Sequence, residues 1–205
     1  MKMLISTIFF LSCIINSILA ESDNGGLMIN SLKKLEATKK NAMDGNAVEA
    51  FRLFEHYGLA LNDSSNGNLW LEICAENGSS YGMFAFSNSL KRNGEIERAK
   101  FWCFNAIKDS DFRFEKENFY AENPNFTIPI IENISALDFS ALKVFALQGN
   151  IKAAEKLSEI DSSWLRIASQ NGSKNCMKKY SELLEKKGDE LSMIRSRYWL
   201  NKSKN

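Results

Sequence analysis

Proline is nearly missing from this chain. Pro124 and Pro129 are the only two in 205 residues, and they sit close together. Proline removes a backbone donor and breaks helices, so nothing outside that short stretch bars helix from the rest of the sequence. Histidine is scarcer still, since His56 stands alone. A hydrolase triad would have to be built on that one imidazole, and no serine is singled out by its surroundings. Metal ligands in short-range pairs are missing too: no CxxC, HxxxH or HExxH spacing occurs, and structural zinc normally shows one. These gaps predict no catalytic residues, no metal and no cofactor.

Net charge is the next shortage. The chain has 26 basic and 25 acidic side chains, a balance that offers no field to nucleic acid or to an anionic membrane. Long uncharged sequence is confined to the start, where Met1-Lys2 precedes LISTIFFLSCIINSILA and then the polar ESDNGG. A basic start, an apolar middle and a small residue at Ala20 have the layout of a secretory signal peptide over 1–20, followed by a disordered lead-in over 21–29. The run is short for a retained span and no stop-transfer pattern follows it. The mature chain is therefore expected to lack an integral membrane span and to be periplasmic or secreted. Lipidation at Cys13 is the variant, with bulky Leu11 where a lipobox wants a small residue. Cleavage would remove Lys2 and no acid, leaving basic and acidic residues equal in number. Cys74, Cys103 and Cys176 would survive it, too few for a disulfide-dense scaffold.

What the chain does have is repetition. DGNAVEAFRLFE (44–55) recurs as QGNIKAAEKLSE (148–159), and LWLEICAENGS (69–79) as SWLRIASQNGS (163–173). Helix-sized phrases that recur describe stacked units, each burying its apolar face against a neighbour. Tryptophan marks the register: Trp70, Trp102, Trp164 and Trp199 each fall in the second helix of a helix-turn-helix unit. Cys74 and Gly78 lie four and eight residues beyond Trp70, and Ala168 and Gly172 hold the same offsets from Trp164. Those spacings make one helical stripe, with a ring at one end and small side chains beyond. Gly78 and Gly172 then serve as C-terminal caps able to take positive φ. The offset between the copies shortens from the Gly45/Gly149 pair to the Trp70/Trp164 pair, so the third unit has lost about ten residues between its helices.

This pattern resembles the Sel1-like repeat, a relative of the tetratricopeptide repeat. The matching pieces are Ala50, Leu53, Tyr57 and Asn77-Gly78 in the first unit, and Leu90, Gly94, Ala99, Phe101-Trp102 and Ala106 in the second. Gly149, Ala154, Leu157 and Trp164 match in the third, and Leu184, Gly188 and Tyr198-Trp199 in the fourth. The resemblance implies an all-α helix-turn-helix solenoid of about ten helices, in two halves. A helix opening at Asn30 caps the first two repeats (30–108), and a further helix leads the last two (134–205). The first helices of the units would line a concave side. The resemblance also implies a partner that is another protein. Small periplasmic Sel1-like proteins include immunity proteins that block a cognate toxin, such as a type VI secretion phospholipase effector. Others are envelope adaptors or secreted host-interaction proteins. Cysteine-rich relatives are described as penicillin-binding or weakly β-lactamase-like, but their regular cysteine pairs are not present here.

Between the halves, 109–133 holds both prolines and five aromatics outside any repeat register. Two readings stay open: a connector whose rings fold back on the helices, or a recognition loop, since interfaces favour aromatics. The expected partner-binding set is Arg52, Glu55, Lys91, Lys156, Lys178 and Glu182 on first helices, with Phe112, Phe114, Phe119 and Tyr120 of the insert. Leu59 to Asn68 reads as a solvated loop. Glu95/Arg98 and Glu155/Glu159 read as charge on solvated helix faces. Cys74 and Cys103 lie about one turn apart on similar faces of neighbouring second helices, a placement that allows a disulfide if the helices approach closely enough. Cys176 stands where the second unit has Gly82, a packing position for a buried thiol.

Overall fold

The computed structural model describes residues 26–205, and the expected signal peptide and Cys13 lie outside them. Among the described residues the protein is all-α, with eleven α-helices and no strand. They are α1 (Leu32–Met43), α2 (Ala47–Phe54), α3 (Ser64–Glu76), α4 (Ser80–Arg92), α5 (Ile96–Ala106), α6 (Arg113–Glu122), α7 (Phe139–Leu147), α8 (Ile151–Ile160), α9 (Leu165–Gln170), α10 (Lys174–Glu185) and α11 (Glu190–Lys204). No described helix is long and apolar enough to cross a membrane.

The recurring phrases become recurring helix starts. Asn46 and Asn150 each accept the backbone N–H three residues on, at 3.1 and 2.8 Å, and so open α2 and α8. Ser79 and Ser173 do the same for α4 and α10, at 3.0 and 3.1 Å. Such caps satisfy donors that the first helical turn leaves free. Gly78 and Gly172 take φ of 96° and 107° just after α3 and α9.

Packing follows chain order, and apolar clusters fill the gaps between successive helices. Leu53, Trp70 and Ile73 sit in the first cluster, Phe86, Ala99 and Trp102 in the second. Leu142, Leu157 and Cys176 join α7 to α10, and Met177, Leu184 and Trp199 join α10 to α11. An open array would leave its first and last helices apart. Here α11 packs against α1, with Lys40 Nζ 2.7 Å from a Glu190 carboxylate oxygen. The helices make a closed circuit, and neither end is a free cap.

Three local expectations change. Leu59 to Asn68 is largely exposed, as expected, but only 61–63 is loop. Glu55–Ala60 forms a π-turn continuing α2, and α3 begins at Ser64. Gly67 is buried where α3 crosses that turn, so a Cβ there would come 2.7 Å from the Gly58 Cα. Most of the length that the third unit lacks lies in this turn and the three residues after it. The lead-in is docked at its end: Ile29 is buried, and its N–H donates to His56 Nδ1 at 3.2 Å. Finally, Trp164 ends a 3₁₀ turn before α9 and is half-buried, unlike the three buried indoles.

Candidate functional site

The middle of the circuit is built by α3, α5, α9 and α11, the second helices of their pairs. First helices supply none of the ionised side chains that meet there. From α3 come Glu72 and Glu76, from α9 Arg166 and Gln170, from α5 Arg98 and from α11 Arg195. Arg166 bridges both acids, at 3.1 Å to Glu72 and 2.9 Å to Glu76. Gln170 donates its amide to the same two carboxylates, at 2.7 and 2.6 Å. Arg195 lies 2.5 Å from the other oxygen of Glu76.

Arg98 and Arg195 are matched residue for residue. Arg195 donates to Asn77 Oδ1 at 2.7 Å and to the Met43 carbonyl at 3.2 Å. Arg98 donates to Asn171 Oδ1 at 2.7 Å and to the Leu147 carbonyl at 3.5 Å. Each guanidinium therefore sits at helix C-termini of the opposite half, where a positive charge is favoured. Each also stacks on the aromatic pair of its own helix. Arg98 lies 4.2 Å from the Phe101 ring centre, and Arg195 4.0 Å from that of Tyr198. The rings press on matching glycines: a Cβ on Gly45 would be 2.9 Å from the Tyr198 ring, and one on Gly149 would be closer still to Phe101. The indole N–H groups of Trp102 and Trp199 are both buried with no acceptor among the described residues. The last helix of each half thus clasps the other half.

One substitution breaks the match. Where Arg195 meets the Glu76 carboxylate, Arg98 meets the neutral Gln170 Oε1, at 2.5 Å. Burial favours protonation of the Glu76 carboxyl, but the Arg166 and Arg195 guanidiniums and the Gln170 amide overcome this and hold its pKa down to about 2. Glu72 goes the other way: burial pushes it up, only partly opposed by Arg166. Burial also pulls Arg98 down to about 9, against the more distant pull of Glu72 and Glu76. Beside Arg98 opens a cleft of about 350 Å³, in which Glu72, Gln170 and the apolar Phe86, Leu90 and Ile167 form the wall.

The expected surface set divides. Phe112 and Phe119 are buried with Ile107 beneath the insert, so they are core residues and not contacts for a partner. Glu55 is likewise buried in the π-turn, and burial raises its pKa. Phe114 is 61% exposed on α6, and Tyr120 is half-buried against Phe119. Lys91 is exposed and reaches Glu122 at 3.3 Å, which sets it beside α6. Arg52 is half-buried, while Lys156, Lys178 and Glu182 are exposed. Lys156 pairs with Glu159 on its own helix, and no contact draws it, Arg52, Lys178 or Glu182 towards α6.

Cys74, Cys103 and Cys176 are free thiols. Cys74 packs among α1–α3 and donates to the Ala47 carbonyl, whereas Cys103 packs against the separate cluster of Ile107, Phe112 and Phe119, so the two do not pair. Burial pushes both thiols up to about 11. No group of three or more His, Cys, Asp or Glu among the described residues is placed to hold a metal. The sole imidazole is buried, and its Nδ1 accepts the Ile29 N–H.

Sequence reasoning missed Arg98, which is 4% exposed and not on a solvated face. The signal was present: RAKFW (98–102) and RSRYW (195–199) share an arginine three residues before the aromatic–Trp pair. It also passed over GSSYG (78–82), which has the spacing of a nucleophile elbow around Ser80. An elbow needs a strand-to-helix turn. This segment joins α3 to α4, and Ser80 Oγ donates to Asp109 at 2.9 Å. Compared with family models, curated proteins and solved structures, the chain matches none.

Proposed function

We propose that the protein is an exported, non-enzymatic docking module built from Sel1-like helical hairpins, whose partner is another protein. The observation that carries the reading is the bonded centre. Arg166, Arg195, Glu72, Glu76 and Gln170 bond one another, and Arg98 joins them through Gln170. A protein partner is therefore met by the outer faces. The insert supports the same reading: Phe112 and Phe119 anchor α6 from below, and Phe114 projects from it. A pre-ordered aromatic at one end of a helix whose other end meets exposed Lys91 is the kind of feature that anchors interfaces.

Within this reading the partner is a toxin active in the cell envelope, such as a lipase-like effector, and binding blocks it. The test is growth of cells that carry such a toxin from the same organism in the periplasm, with and without this protein. Protection by the wild type, lost on Phe114→Ala with Lys91→Glu, is the expected result. Equal growth in the absence of the protein would reject the protective role. Unchanged affinity of the double variant would remove α6 from the interface.

A further inference from the structure

We propose that the cleft beside Arg98 binds a carboxylate attached to a small apolar body. The two clasps supply the argument. They match in their asparagine, carbonyl, aromatic and tryptophan contacts, but only Arg195 has a carboxylate within ion-pair distance. Arg98 uses three of its five N–H donors on neutral oxygens. No described residue accepts from its Nε–H. Because Arg98 faces an open cleft, a ligand can supply there the acid that its counterpart finds inside the protein.

Size and lining narrow the ligand. About 350 Å³ admits a small molecule or one chain end, not a helix. Leu69, Phe86, Leu90, Leu147 and Ile167 offer apolar wall to a hydrocarbon body. Glu72 and Glu95 also line the space, so a dianion such as a phosphate monoester meets two carboxylates where a monoanion meets less repulsion. A planar guanidinium matches a carboxylate through paired N–H bonds. Two sources carry this chemistry: a free short-chain acid and the C-terminal residue of a partner polypeptide. The proposal stands apart from the docking reading, because loss of partner binding through α6 would leave it intact.

The experiment titrates the purified chain with hexanoate and hexanamide, and with acetyl-Gly-Leu as free acid and as amide, followed by backbone amide shifts. Hexanoate or the peptide acid should move the resonances of Ser89, Leu90 and Gln170 saturably, with each amide probe at least tenfold weaker. Arg98→Gln should abolish the response. Because that variant removes a clasp and could fail to fold, Ser65→Glu is the second arm. Ser65 is exposed at the cleft, in the first turn of α3 where an acid suits the helix, so this variant keeps the fold and should weaken binding severalfold. Response to the peptide acid alone assigns the carboxylate to a chain end; response to hexanoate assigns it to a free acid. Equal response to acid and amide, no saturable response to either acid, or affinity unchanged in Ser65→Glu would each overturn the proposal.

Discussion

Arg98 and Arg195 have the same exposure and nearly the same neighbours, yet their removal should not cost the same. Arg195→Met leaves the buried Glu76 carboxylate short of one of its two cations, a loss of about 3–5 kcal/mol. Arg98→Met strands only neutral oxygens, so about 1–3 kcal/mol is expected. Urea unfolding of the two variants checks the ordering, and equal losses would show that Glu76 does not distinguish the sites. The same carboxylate sets an acid limit. Its pKa is lowered by folding, so its contribution is complete above the ordinary carboxylate value near 4.5 and drains away as pH falls towards about 2. Glu72, raised by burial, works in the opposite sense but in another window: its gain comes as pH falls through its folded pKa to about 4.5, above the range in which Glu76 is lost. The melting temperature should therefore drop over that lower range, and Glu76→Gln should flatten the drop while lowering the melting temperature at pH 7. In the sequence, none of this chemistry is separable from surface charge. Glu76 and Arg98 are charged residues on amphipathic helices, and what they meet comes from the opposite half of the molecule.

Element boundaries were the legible part, because caps and turns are local. GN and GS phrases mark where α2, α4, α8 and α10 begin, and the small-residue stripe after each tryptophan marks a packing face. The insert was not legible in this way. Its aromatics are spaced such that Phe112 and Phe119 point inward and Phe114 outward, and sequence alone cannot rank three phenylalanines by burial. The π-turn after α2 escaped for a related reason. Its Gly58 and Gly67 look like loop residues, but they are where two backbones cross. Glycine also separates two kinds of turn. Gly149→Ala must adopt a φ of 100° and meet the Phe101 ring, so a loss of about 2–4 kcal/mol is expected. Gly78→Ala has a similar φ of 96° but open space around it, and should lose about 1–2 kcal/mol. Thermal unfolding of the pair measures the contribution of ring contact alone.

At the scale of the molecule, the circuit closes through residues far apart in sequence, a relation that no repeat phrase encodes. Open arrays exchange their end helices fastest, since those helices touch one neighbour. Here α1 and α11 touch each other, so their amides should exchange as slowly as those of α3. Hydrogen exchange by mass spectrometry reads this directly, and fast exchange confined to α1 and α11 would contradict closure. Deleting 190–205 should expose α1 and the Glu76 side chain together, and so abolish cooperative unfolding. The reciprocal clasp has one more consequence, for a chain that has been cut. Pro124 and Asn125 lie exposed between α6 and α7, where a protease can reach. Severing the backbone there breaks no clasp: Arg98 still grips Leu147 and Asn171, and Arg195 still grips Met43 and Asn77. The two fragments should co-elute on gel filtration as a single native-sized species, and separate only once denaturant releases both grips.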